Sequence, residues 1–271
     1  MSGATRQSTA AAREQLDALT DNTSVDVAAL SSDLQDVTRV LDREVTLRRI
    51  LTDPAAPGQA KADLVAHLLQ GKVGAETVDL LSGMVRSRWS AGRDLSDATE
   101  QLSALALIIG ADKAGELDDV EDELFRFGRV VAGNLELRSA LTDNAASTSA
   151  KAELVANLLG GKAKAATVAL VTSLVTQPRG RSLESGLEEY SRLAAGRRGR
   201  VVALVTTAVP MSDAQKQRLA ASLETLAGHP VHLNLDVDPQ VLGGVRVQIG
   251  DEIIEGTIAG RLDSANRSLA G

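Results

Sequence analysis

Residues 236–262, DVDPQVLGGVRVQIGDEIIEGTIAGRL, prescribe a compact strand, turn and helix unit through their order of Gly, Pro and apolar side chains. Apolar residues alternate at Val231, Leu233, Leu235 and Val237, and again at Val245, Val247 and Ile249, the period of strands with one buried face. Asp238-Pro239 breaks the first run, because Pro donates no backbone hydrogen bond and restricts the residue before it. Gly243-Gly244 lets the chain turn or approach another backbone where a Cβ would clash. Gly250-Asp251 suits a two-residue hairpin leading into Glu252, Ile253 and Ile254. Gly256 then ends that strand, and Thr257 is placed to cap a last helix running through Leu262 toward Leu269.

Outward from this segment, the 271-residue chain has room for two domains, each with its own core. Trp89, Phe125, Phe127 and Tyr190 are its only aromatics, so the core is left to Leu, Val, Ile and Ala. Ala-rich helices form with little loss of side-chain entropy and approach one another closely, which favours bundles. The formal charge of −7 argues against a phosphate-tracking surface, so no nucleic-acid partner is expected. Arg192, Arg197, Arg198 and Arg200 cluster around Gly196 and Gly199 and read as a solvated linker between domains. The first residues lack the apolar core of a secretory peptide. With no cysteine there are no disulfides and no thiolate chemistry, in keeping with a reducing cytoplasm. Residues 104–109 form the longest apolar run, far short of a membrane span, so membrane attachment is expected only through partners.

An internal repeat organises the N-terminal part. Laid on each other at an offset of 90, residues 47–72 and 137–162 are identical at seventeen of 26 positions, including Leu47/Leu137, Lys61/Lys151, Leu64/Leu154 and Gly71-Lys72/Gly161-Lys162. Similarity continues through Thr77-Val78/Thr167-Val168 and, after a shift of two, Arg93/Arg181 and Leu95/Leu183. Two copies are too few for a solenoid and read as a duplicated helical hairpin module, over 47–110 and 137–195, that either builds a second bundle or lengthens the first. Leu64, Leu68 and Leu69 share a helix face that Gly71 stops, and Leu30, Leu34, Val37 and Leu41 mark a helix upstream. Leu95, Leu102, Leu105 and Ile109 precede Leu117, Val120, Leu124, Phe127 and Val131, with Gly110 and Gly115 expected to interrupt that stretch. The expected fold is α+β and mostly α, with a helical bundle region over 1–196 and a small α/β domain with a short sheet over 200–271.

Candidate chemistry is thin. His67 sits among Leu and Ala and aligns with Asn157 in the other copy, which suits a surface or boundary position. His229 and His232 lack a third ligand at metal-binding spacing. Gly160-Gly161-Lys162-Ala163 lacks the upstream Gly and the hydroxyl residue of a phosphate loop and reads as a helix stop. Asp118, Asp119, Glu121, Asp122 and Glu123 lack the Gly and closing Glu of a calcium loop and read as a solvated helix face. Trp89, beside Arg86, Arg88 and Arg93, is either an interface anchor or a boundary core residue with cation–π support. No catalytic, cofactor or metal residues are expected.

The ordered set Asp238-Pro239, Gly243-Gly244, Val245 to Ile249, Gly250-Asp251, Glu255-Gly256-Thr257 and Arg261-Leu262 resembles the C-terminal signature of the delta subunit of F-type ATP synthases, called the oligomycin-sensitivity-conferring protein in mitochondria. Glu255 and Thr257 depart from the family's Asp-Gly-Ser but keep the charge and the hydroxyl. The resemblance implies structural motif roles for Asp238, Pro239, Gly243, Gly244, Gly250, Asp251, Gly256, Arg261 and Leu262. It implies one ordinary bundle near 113–195, with the extra length N-terminal to it, as in extended actinobacterial members. It further implies a noncatalytic stator subunit of the proton-translocating enzyme. The bundle would grip N-terminal segments of the alpha subunits and the C-terminal domain would meet the peripheral-stalk b subunit, on the cytoplasmic side of the cell membrane. Two other classes stay open on the residues alone. One is a helical adapter outside ATP synthase. The other is a nucleotide- or phosphate-binding α/β protein, supported by Gly243-Gly244 and the arginine cluster.

Overall fold

Polar residues open the helices and glycines close them. Asp26 accepts the Ala28 and Ala29 N–H groups at the start of α2, Asn134 that of Leu137 at α8, and Ser147 that of Ala150 at α9. Gly71, Gly115 and Gly161 take φ of 71°, 70° and 69° just past helix ends, a conformation glycine adopts without a Cβ clash. The computed structural model describes residues 3–21, 24–198, 201–228, 231–238, 244–249 and 252–255. It divides into two units, Met1–Arg198 and Gly199–Gly271, and is α+β and mostly α.

In the first unit the helices are α1 (Gly3–Asp21), α2 (Val27–Arg43), α3 (Val45–Thr52), α4 (Gly58–Leu69), α5 (Ala75–Arg86), α6 (Gly92–Lys113), α7 (Leu117–Gly133), α8 (Leu135–Thr142), α9 (Thr148–Leu159), α10 (Ala165–Thr176) and α11 (Leu183–Arg198). Helices α2 to α5 recur as α7 to α10 with every boundary displaced by 90 residues, so the structural repeat begins well before the identities at Leu47/Leu137. Each copy builds its own core. Leu16, Leu34, Leu80, Met84, Trp89 and Leu95 belong to one, and Val120, Leu124, Leu170, Leu174, Leu187 and Tyr190 to the other. Helix α6 serves both, giving Leu102, Leu105 and Ile109 to the first and Ala104, Ile108 and Ala111 to the second. Its apolar residues run all round the helix, as a helix buried on both sides requires. The duplication therefore makes two bundles that share a helix.

Gly110 does not interrupt this stretch as the sequence suggests. It lies inside α6, where a Cβ would only touch Val27 at 3.7 Å, and Gly115 alone marks the break. Packing on both faces outweighs the roughly 1 kcal/mol that one interior glycine costs a helix.

The second unit runs β1 (Val201–Thr207), α12 (Asp213–Ala227), β2 (Val231–Val237), β3 (Val245–Ile249) and β4 (Glu252–Glu255). Its described strands form a four-stranded sheet in the order β2-β1-β3-β4. β1 pairs parallel with β2 and antiparallel with β3, and β3 pairs antiparallel with β4. The parallel pair needs a crossover, which α12 provides. Ser212 and Gln215 form a capping box at its start and Gly228, at φ 70°, ends it. Ala203, Val205, Leu223 and Val247 make the small core.

Candidate functional site

Of the residues expected to carry the C-terminal motif, Asp238 and Gly244 fall among those described. β2 stops at Val237, and the next residue, Asp238, donates its backbone N–H to the Thr207 carbonyl at 2.9 Å. Gly244 stands at φ 91°, in the left-handed region, immediately before β3. The register pairs Ile249 with Glu252. Gly250 and Asp251, with Pro239, Gly243, Gly256, Arg261, Leu262 and the helix expected after Thr257, lie outside the described residues.

β2 is an edge strand, and its apolar face is covered unevenly. Val231 is buried and Leu233 half-buried, while Leu235 and Val237 are exposed, as are Val209 and Leu226 elsewhere in this unit. In the first unit Phe125 and Val130 on α7, and Val45 and Leu135 at equivalent places in the two copies, also expose large apolar side chains. Exposed side chains of this kind are candidates for partner contact.

Between the two bundles lies a charged network that the sequence reading did not foresee. Arg179 has φ 52°, uncommon for a residue with a Cβ, which turns its buried guanidinium toward α2 and α6. There it meets Asp42 at 2.6 Å, Asp97 at 2.9 Å and Ser96 at 2.7 Å. Burial alone would raise the Asp42 carboxyl, but hydrogen bonds from Arg179 and Ser96 outweigh it and hold the carboxyl below the usual range. Arg181 bonds Glu100 and Glu189 and lies 5.5 Å from the centroid of the Tyr190 ring, and the Tyr190 hydroxyl donates to Glu100 at 2.5 Å. Arg197 joins Asp17 at 2.6 Å and Asp112 at 2.8 Å.

Several expectations change accordingly. Arg197 is not part of a solvated linker: it lies in α11, and its paired guanidinium is buried. Arg192 is exposed, while the Arg198 side chain and Arg200 lie outside the described residues. Trp89 is core, with its ring N–H bonded to the Met84 carbonyl at 2.8 Å, and is not an interface anchor. The acidic run is only partly a solvated face. Glu123 accepts from the Lys164 N–H and the Thr167 hydroxyl, and Asp119 with Glu116 holds the Lys164 ammonium, raising its pKa. His67 is exposed on α4, and no metal-binding cluster occurs among the described residues. His229 and the His232 side chain lie outside them. Gly160-Gly161 ends α9.

A cavity of about 710 Å³ opens in the second bundle, lined by Leu135, Arg138, Leu141, Lys151, Leu174, Leu183 and their neighbours. Arg138 pairs there with Glu184 at 3.4 Å. Lys151, identical to Lys61 at the equivalent place of the repeat, is buried like its counterpart.

Two helical bundles that share a helix, and a small sheet unit with its own core, define a mostly helical protein of two units with exposed apolar residues on each. The family model of the ATP synthase delta (OSCP) subunit matches residues 102–269. The chain is 62% identical to the ATP synthase subunit delta of Streptomyces griseus subsp. griseus over 271 residues, covering 100% of both. It is 49% identical to that of Thermobifida fusca, covering 92% of each. A chain of the Toxoplasma gondii mitochondrial ATP synthase hexamer matches at 23% identity over 62% of this chain and 95% of its own, with a TM-score of 0.27. This chain belongs to the ATP synthase delta (OSCP) subunit family, and is thus a structural, noncatalytic subunit of a complex that serves ATP synthesis and ion transport. The family model begins inside α6, so the first bundle's α1 to α5 precede the matched region.

Proposed function

We propose that the chain is a stator subunit that works as two parts, 1–196 and 200–271, linking the alpha subunits of the catalytic head to the b subunit of the peripheral stalk. The observation that carries this is the family match over 102–269, which takes in both the second bundle and the sheet unit. The helical part would hold an N-terminal segment of an alpha subunit in a groove between its helices, a mode suited to an amphipathic helix. The sheet unit would meet b, and its exposed Val209, Leu226, Leu235 and Val237 support that assignment. Such a link needs slow dissociation under load, and affinity among related complexes is set mostly by off-rate. No described helix is long and apolar enough to cross a membrane, in keeping with attachment at the cytoplasmic face of the cell membrane through the partner subunits. The residues Asp238, Pro239, Gly243, Gly244, Gly250, Asp251, Gly256, Arg261 and Leu262 would shape the sheet unit rather than perform chemistry.

The test compares the full chain with one lacking residues 201–271, each immobilised and offered an alpha N-terminal peptide and the soluble part of b. The full chain is expected to capture both, and the shortened chain to keep the peptide and lose b. Retained b binding, or peptide binding that vanishes with the sheet unit, would overturn the assignment.

A further inference from the structure

One end of the first bundle carries arginines that the same end of its copy lacks. Helix α2 stops there, α3 follows, α4 starts, α5 stops and α6 starts. These elements touch. A Cβ on Gly92 of α6 would meet Arg48 Cγ of α3 at 3.5 Å, and one on Gly58 of α4 would meet Arg86 Cα of α5 at 3.3 Å. The start of α1 joins them, since Thr5 accepts the Ser90 N–H at 3.2 Å and Ser8 donates to the Arg88 carbonyl at 2.6 Å. Arg43, Arg49, Arg86 and Arg88 lie at this end, whereas the places 90 residues on hold Gly133, Ser139, Thr176 and Pro178.

Most of this charge is unanswered. Arg6, Arg49, Arg86 and Arg88 are exposed and make no ion pair among the described residues, Arg86 reaching only the Gln59 side chain. Arg43 and Arg93 have exposed partners, Glu44 and Asp97, each at 3.7 Å. Asp42 and Glu44 are also particular to this copy, replacing Ala132 and Asn134, but Asp42 is taken by Arg179 and Glu44 by Arg43. Asp53 holds the Ala55 N–H, and Asp94 the Thr5 hydroxyl. Like charges gathered in this way repel one another, so an anionic chain laid over them relieves that repulsion as well as gaining attraction. The concentration is local, in a protein of net charge −7.

Helix α3 sets what else the occupant carries. Val45 and Ile50 are exposed on it, near Arg49, and Ile50 stands where the second copy has Ala140. Two separate aliphatic side chains among arginines suit a polypeptide. Single-stranded nucleic acid is held by stacking on aromatic rings, and Trp89, the aromatic residue of this end, is buried. A bilayer surface takes a continuous apolar helix face.

We infer that this end of the first bundle docks an acidic segment of a partner polypeptide, its carboxylates meeting Arg49, Arg86 and Arg88 and its aliphatic side chains meeting Val45 and Ile50. All these residues precede residue 102, where the family match begins, so the contact is independent of the groove and of the sheet unit assigned above.

The experiment titrates the full chain into the fluorescein-labelled peptide Glu-Glu-Leu-Glu-Glu-Glu-Leu-Glu-Glu at low salt and follows the anisotropy. Saturable binding is expected with a dissociation constant on the order of 100 μM, weakening severalfold as salt screens the exposed charges. Arg49→Ser combined with Arg86→Thr, which installs the residues of the second copy, is expected to weaken binding about fivefold or more, with the thermal transition unchanged. Arg129→Ser, at an exposed position of α7, is expected to leave binding as it was. Peptides with Gln for Glu or Ser for Leu are expected to bind more weakly, the first about tenfold and the second about threefold. Absence of saturable binding, equal binding by the double variant or by either altered peptide, or an equal loss in Arg129→Ser would overturn the proposal. So would tighter binding of phosphatidylglycerol vesicles or of oligothymidylate that the double variant abolishes, or self-association that it abolishes, each of which would give this end another occupant.

Discussion

Tyr190 shows what a single residue contributes to the junction of the two bundles. Its ring is buried beside the Arg181 guanidinium, and its hydroxyl donates to Glu100. Burial, then the neighbouring Glu100 charge, push its pKa far above the ordinary value near 10. A folded value raised above the unfolded one means that this contribution is fully present below about pH 10 and is lost as the pH climbs beyond it. Because Tyr190 is the only tyrosine, the near-ultraviolet absorbance of tyrosinate reports it alone. The expected result is no ionisation until the protein unfolds in alkali, with both events coincident. Tyr190→Phe is expected to cost about 1 kcal/mol at neutral pH, the net worth of one hydrogen bond, and to remove this residue's alkaline sensitivity. A reversible titration near pH 10 in the folded protein would place the ring in solvent and contradict the network.

At the scale of elements, the same device recurs at two helix starts. Neither α5 nor α10 is capped by the side chain at its own N-cap position, Gly74 or Lys164. The preceding long helix of each copy sends a carboxylate across instead. Asp33 accepts the Gly74 N–H at 2.7 Å and the Thr77 hydroxyl at 3.0 Å, and Glu123 accepts the Lys164 N–H at 2.9 Å and the Thr167 hydroxyl at 2.5 Å. Each carboxylate satisfies an orphan donor and faces the positive end of a helix dipole. Asp33→Ala and Glu123→Ala are each expected to lower stability by about 1 kcal/mol, read as a fall in urea midpoint at unchanged slope. An unchanged midpoint for both would show the bonds to be idle. The sequence could not reveal this, because a cap supplied from 41 residues away carries no local pattern. What it did reveal was local: the Leu30, Leu34, Val37 and Leu41 face, the stops at Gly71 and Gly161, and the alternation of β2 and β3. Strand β1 escaped because residues 201–205, VVALV, are a continuous apolar run, the mark of a central strand that gives no alternation to read. Helix α1 escaped because most of its buried residues, Thr5, Ser8, Thr9, Asp17 and Thr20, are polar, and among them Ala12 and Leu16 alone give it an apolar side.

For the whole first unit, the decisive circumstance is that one helix belongs to two cores. Leu102 lies in the first core and Ile108 in the second, both fully buried on α6. Bundles joined only by a loop could melt separately, whereas a shared helix cannot leave one core without opening the other. The salt bridges of Arg179, Arg181 and Arg197 reinforce this, since each runs from the last part of the second copy back to α1, α2 or α6. Such coupling is what the proposed stator role would require, because a load applied to one bundle would have to reach its neighbour without a soft joint between them. Leu102→Ala and Ile108→Ala are each expected to cost about 2–5 kcal/mol, the range for truncating a buried aliphatic side chain. Amide exchange should register either loss in both bundles equally, with protection falling together in α4 and α9, neither of which packs extensively on α6. If Ile108→Ala lowered protection only in α7 to α11 while α2 to α5 kept theirs, the two cores would be independent units strung on a common helix, and the first bundle could not transmit what the second receives.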